Sequence, residues 1–165
     1  MTTLSGMAHG TRPALALNLE LSAGRPGASA RVELHDRPSA DPEAACRVAG
    51  VTRIARVALR GCVDGEAAVR LGRALDDLAL RDVDRVLLDC ADLRHIDFRC
   101  LPDLVAALDR CEARSHDVVL CRLSRYLRDL FRMAGCEARL RFLDSATELL
   151  EAGGPAPEPG RERAS

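Results

Sequence analysis

"RVLLDCADLRHIDFRC" (Arg85 to Cys100) decides the fold. Its start, Arg85 to Cys90, is a short apolar run bounded by charge, the pattern of a central strand covered by helices on at least one face. Past its end, Leu104, Val105, Leu108 and Cys111 recur at helical spacing, with Asp103, Asp109, Arg110 and Glu112 elsewhere, so a helix begins near Leu101. Pro102 suits the first turn of that helix, where no intrahelical N–H bond is lost. The chain therefore passes from strand to helix through "RHIDFRC" (Arg94 to Cys100), and such a junction turns free backbone N–H groups outward. An acid, an aromatic, a cation and a thiol stand there in consecutive positions: Asp97, Phe98, Arg99 and Cys100.

Working outward, the alternation of strands and helices continues on both sides. Upstream, "RIARVALRG" (Arg53 to Gly61) reads as a strand paired back on "CRVAG" (Cys46 to Gly50) through a tight turn at Gly50. "EAAVRLGRALDDLAL" follows, with Ala68, Leu71, Leu75 and Leu78 on one helical face. Downstream come "VVLC" (Val118 to Cys121) as a strand and "SRYLRDLFRMAGC" as a helix, N-capped by Ser124 and stopped at Gly135. "RLRFLD" and "SATELLEA" close the series with an edge strand and a short helix. The expectation is an α/β fold with a mixed β-sheet of about five strands and about four helices, mixed because the first connection is too short for a parallel crossover.

The ends read differently. Within residues 1–45, "LALNLEL" and "RVELH" alternate with period two, but "SAGRPGASA" and "DRPSADPEAA" interrupt them. We read 1–45 as a partly disordered extension holding at most a weak hairpin, 46–152 as the domain, and 153–165 as a Pro- and Gly-rich disordered tail.

Composition narrows the function classes. A 165-residue chain with 47% hydrophobic residues fits one domain. The formal net charge of -1, with a single Tyr and no Trp, points away from nucleic acid as a partner. Charge is nevertheless polarised: Asp76 to Asp97 is strongly acidic, whereas Arg122 to Arg141 is basic, and Arg125, Arg128 and Arg132 form a stripe on one helix face. Seven cysteines without a C-x-x-C spacing argue against a disulfide framework or a zinc site, and imply reduced thiols. No signal-peptide pattern and no apolar run of membrane-spanning length occurs, so a cytoplasmic protein without direct membrane insertion is expected. Phosphate-loop, dinucleotide and hydrolase-elbow motifs are absent from the sequence, and neither cofactor nor metal is expected. His95 and Cys100 could form a thiol nucleophile, with no third group to orient them. Arg99 and the helix start could also lower the Cys100 pKa and make it an oxidation switch, although the aliphatic neighbourhood equally suits an inert, packed thiol.

Three patterns, in order, resemble one family. "VALRGCVDG", "VLLDCADLRHIDFRCL" and "VVLCRLSRYLRDLFRMAGC" are similar to the signature segments of the STAS domain of bacterial anti-sigma factor antagonists, over roughly Cys46 to Ala152. The resemblance implies a non-enzymatic module that binds a protein, either an anti-sigma factor that is also a serine kinase or a signalling scaffold. It places docking on Asp64 in the 61–66 loop, on Asp97, and on the start of the second helix. In the family the loop Asp precedes two serines and a glycine, and a serine there is phosphorylated by the partner. Phe98, Arg99 and Cys100 stand in those places, with Arg99 at the acceptor position, so phosphorylation at the usual place is not expected. Phe98, Arg99 and Cys100 then make an altered docking surface, or the loop merely joins two elements. An alternative implied by the same resemblance is a soluble STAS subunit of a membrane transport complex of the ABC or lipid type.

Overall fold

Period-two alternation in the sequence becomes two chemically different faces of one sheet. The computed structural model describes residues 13–24, 26–38, 51–114 and 117–144. In chain order the elements are β1 (Leu15–Ser22), β2 (Ala28–Pro38), β3 (Val51–Val63), α1 (Gly65–Ala79), β4 (Arg85–Ile96), α2 (Leu101–Ala113), β5 (Asp117–Cys121), α3 (Arg125–Met133) and β6 (Phe142–Leu143). Short 3-10 turns occupy Phe98–Cys100 and Glu137–Arg139. The six strands lie side by side in sequence order. β1, β2 and β3 are antiparallel, and β3 through β6 are parallel, which makes the sheet mixed as expected.

Two expectations change. The sheet extends across the boundary drawn at residue 46, because "LALNLEL" and "RVELH" form β1 and β2, full strands that continue the sheet. What reads as an interruption between them is a hairpin loop, closed by the Ser22 hydroxyl accepting from the Ala28 amide at 3.1 Å. The antiparallel neighbour of β3 is β2. Cys46–Gly50, the "SATELLEA" helix and the 153–165 tail lie outside the described residues. The second change is length: the strand expected over Arg85 to Cys90 runs on to Ile96, because β4 takes up one extra residue at each of two register shifts and then pairs Leu93 with Gly61 and Ile96 with Val63. Gly61, beside the second shift, has φ 88°, and a Cβ there would collide with the Gly27 carbonyl oxygen, so position 61 needs glycine.

One face of the sheet is apolar. Ala30, Val57, Leu59, Val86, Leu88, Val118 and Leu120 point into a core completed by Leu71, Leu75 and Leu78 of α1, Leu104 and Leu108 of α2, and Leu127, Leu130 and Phe131 of α3. The apolar spacings read from the helices all fall in this core. Ser124 caps α3 through the Leu127 amide at 3.2 Å, and Gly135 ends it with φ 69°.

The opposite face is charged over β2 and β3 and apolar only in a small cluster of Ile54, Leu87, Val119 and Cys121. At its centre Asp89 is 1% exposed. It accepts from Arg56 Nη2 at 2.6 Å, from Arg122 Nε at 2.9 Å and from the Ala91 amide at 3.2 Å. Arg56 also reaches Glu33 at 3.1 Å, and Arg31 reaches Glu33 at 2.7 Å. Burial alone would raise the Asp89 pKa, but hydrogen bonds from Arg122 and Arg56 outweigh it and leave the carboxyl below its ordinary value. Arg122 aims at Asp89 from a left-handed backbone with φ 56°, a conformation that costs a non-glycine residue about 1 kcal/mol or more. The bond network offsets that cost.

Removing one partner of such a pair leaves buried charge uncompensated, so Asp89→Asn is predicted to lower the unfolding free energy by about 3 kcal/mol in urea titration at pH 7. A carboxyl with a lowered pKa stabilises the fold above its unfolded-state value and loses that contribution as pH falls through the folded value. Wild type should therefore lose stability below about pH 4, and Asp89→Asn should show a flatter acid limb. A shift under about 1 kcal/mol with an unchanged acid limb would remove Asp89 from this role.

Candidate functional site

β3 and β4 run parallel, so their carboxyl ends open at the same edge of the sheet, where α/β folds place binding crevices. The last rung joins Val63 to Ile96, and the Asp97 amide donates to the Val63 carbonyl at 2.8 Å. Each strand is followed at once by an aspartate that caps the next turn. Asp64 Oδ1 accepts from the Ala67 amide at 2.9 Å and starts α1. Asp97 Oδ1 accepts from the Arg99 amide at 3.0 Å and starts the 3-10 turn that feeds α2. The two acids named from the sequence are thus neighbours across adjacent strand ends.

Arg99 curls back over its own turn. Its Nη2 donates to Asp97 Oδ2 at 2.8 Å and its Nε to Oδ1 at 3.2 Å, while the side chain remains 87% exposed. The Arg99 guanidinium, together with the Arg99 amide, brings the Asp97 pKa down to about 2. Two guanidinium nitrogens and one amide thus meet one carboxylate. Phe98 projects beside it, 48% exposed. Just behind, the His95 ring stacks on Tyr126 with centroids 5.9 Å apart, and His95 Nδ1 lies 2.7 Å from the Tyr126 hydroxyl.

Cys100 is placed otherwise. It is buried and contributes to the core under the N-terminus of α1, where a Cβ on Gly65 would stand 3.9 Å from its Sγ. Burial pushes its thiol pKa up and the Asp97 charge adds to that, outweighing the opposite effect of Arg99. The lowered pKa considered from the sequence is not found, and His95 is engaged with Tyr126 rather than with the thiol. Cys100 is therefore a packing residue behind the surface, whereas Asp64, Asp97, Phe98 and Arg99 lie together on it.

The His95 and Tyr126 pair belongs to the same edge and was not singled out as such from the sequence. Its one available signal was a lone tyrosine at an exposed position in the first turn of an Arg-rich helix. The basic stripe on that helix is largely satisfied within the protein: Arg128 and Arg132 donate to Glu137 at 3.3 and 3.2 Å, and Arg132 also pairs with Asp129. Among the described residues, no three His, Cys, Asp or Glu side chains are grouped to hold a metal, and no helix is long and apolar enough to cross a membrane.

This architecture has known relatives. Residues 46–151 match the family model described as Mlab, STAS domain, and the chain belongs to the STAS domain family. The unphosphorylated anti-sigma factor antagonist SpoIIAA is similar in structure, with TM-score 0.52 at 14% identity over 63% of this chain and 91% of that one. An anti-sigma factor antagonist from Mycobacterium paratuberculosis gives TM-score 0.52 at 12% identity, covering 72% of this chain and 92% of that one. The protein TM1081, solved by NMR, gives 0.54 at 15% identity over 61% of this chain and 81% of that one. At such identities the likeness is one of fold. No curated protein matches the sequence.

The closed Asp97 and Arg99 pair has a direct readout. Carbon-detected NMR titration should place the Asp97 carboxyl at about 2 in the wild type. In Arg99→Ala it should move up towards the ordinary aspartate value of about 3.9. An Asp97 that titrates alike in both proteins would show that the pair is open in solution.

Proposed function

We propose that the protein is a non-enzymatic regulatory module of the anti-sigma factor antagonist type, acting in the cytoplasm. It docks a protein partner, either an anti-sigma factor with serine-kinase activity or a signalling scaffold, through Asp64, Asp97, Phe98 and Arg99. The observation that carries this reading is the arrangement at the ends of β3 and β4: two capping acids side by side, an exposed aromatic, and a guanidinium paired with one of the acids. Pre-organised groups of this kind lose little freedom on binding, and a half-exposed aromatic beside an arginine is the composition of interface anchors. Arg99 uses part of its five-donor fork on Asp97 and keeps the remainder for an acidic surface.

A phosphoserine switch works by adding roughly -1.5 to -2 charge at a docking site. Arg99 holds a fixed positive charge instead and has no hydroxyl to modify. The partner complex is accordingly insensitive to kinase and phosphatase at this position. A second reading, a soluble subunit of a membrane transport complex, is favoured by the description of the matching family model, which names Mlab rather than an anti-sigma factor antagonist.

Affinity capture from lysate of the source cell, with wild type, Arg99→Glu and Arg99→Ser as baits, tests the proposal. Wild type and Arg99→Ser should retain an anti-sigma-type kinase or scaffold, and Arg99→Glu should lose it. Added ATP should release the partner from Arg99→Ser alone, since only that bait offers an acceptor hydroxyl. Recovery of transporter subunits would favour the second reading. Identical recovery by all three baits, unaffected by ATP, would reduce the loop to a connector.

A further inference from the structure

The two edges of the sheet are unequal. β6 has two residues, too short to template another strand, whereas β1 has eight and no described strand pairs with its outer side. Apart from a register shift between Glu20 and Ser22, β1 has little of the usual protection of edges. Its sequence LALNLELS carries one charge, Glu20, and no proline or lysine. Leu15 and Leu17 belong to the apolar row that Leu21 buries under α1, yet each is about half exposed, at 50% and 52%. Between this row and α1 runs a groove of about 320 Å³, with Leu15, Leu17 and Leu34 on the strand side and Arg73, Ala74 and Asp77 on the helix side.

The strand is complementary to itself. In an antiparallel pair of two β1 strands centred on Asn18, Leu15 falls opposite Leu21 of the second copy and Leu17 opposite Leu19, all on the apolar face. On the polar face Ala16 falls opposite Glu20, so the two glutamates never meet.

The helix above the strand fits the same two-fold axis. β1 runs in the direction of β3 and α1 runs back against both, so the two copies of α1 are antiparallel across the axis. Arg70 Nη1 reaches the Glu20 carbonyl at 3.4 Å, which aligns those residues. Two strand residues at about 3.3 Å each match roughly four helix residues at about 1.5 Å, and this sets Asn18 beside Ala74. An axis there sets Arg73 of each copy about 3 Å along the helix from the level of Asp77 of the other, within reach of the long arginine side chain. Neither side chain has an ion-pair partner among the described residues. Backbone edge, apolar row and charges thus agree on one occupant.

We propose that β1 is a dimerisation edge: two copies of this chain pair β1 to β1, joining their sheets into one, with Arg73 and Asp77 matched across the two-fold axis. Light scattering and sedimentation of the full chain over roughly 1 to 500 µM test it. Wild type should pass from one to two chain masses with concentration. Leu17→Lys, with circular dichroism unchanged, should weaken the dimer at least tenfold. Arg73→Glu should weaken it as well, and Arg73→Glu with Asp77→Arg should restore it, which keeps the test valid if Leu17→Lys fails to fold. A chain that stays monomeric throughout this range overturns the proposal, as does a dimer indifferent to both Leu17→Lys and Arg73→Glu.

Discussion

The bond from the Asp97 amide to the Val63 carbonyl closes the ladder between β3 and β4, and the site depends on it. Two parallel strands that end in register deliver their next residues to the same place. Here both next residues are aspartates, and each satisfies backbone donors that a helix start leaves unpaired. Had β4 ended at Cys90, as its apolar run alone would have it, Asp97 would lie on a loop with no fixed relation to Asp64. The extra residues that β4 takes up opposite Ala58–Arg60 and Gly61–Cys62 carry the pairing that far.

The two faces of the sheet divide the work. The helix-covered face supplies apolar burial, with Leu71, Leu88, Leu104 and Phe131 among side chains at 1% exposure or less. The other face ties β2, β3, β4 and the end of β5 together through Glu33, Arg56, Asp89 and Arg122. Buried ion pairs are weak contributors to net stability but strict about geometry, since a misplaced partner leaves a charge without compensation. Asp89 sits on β4 upstream of the Asp97 turn, so the clamp fixes the strand whose far end presents Asp97.

Much of this was legible in the sequence, because the signals were local. Ser124 before an amphipathic run, Gly135 after it, and Pro102 in a first turn each act through their own backbone, and each is found where its chemistry places it. β1 and β2 were visible as alternation, but whether alternation becomes a strand depends on a distant partner, and the turn residues between them looked like a break. Asp64 and Asp97 were identified through a family resemblance, and the structure adds the reason for their chemistry in the caps they make. Arg99 was read as standing at the acceptor position and as part of an altered docking surface; its pairing with Asp97 was not foreseen, because it depends on the 3-10 turn at Phe98–Cys100. Cys100 was weighed with its charged neighbours in sequence, while its pKa is set by the core it packs into. The charged face was the least legible feature, since nothing local to "RVLLDC" says that its aspartate meets arginines from β3 and from the end of β5.

Hydrogen exchange of the protein, free and bound to the partner it captures, tests most directly whether the ends of β3 and β4 are the docking surface. Binding should slow exchange in residues 64–67 and 97–103 and leave the charged face around Arg56 and Arg122 unchanged. Protection centred on the charged face, with the Asp64 and Asp97 turns exchanging as in the free protein, would contradict the assignment.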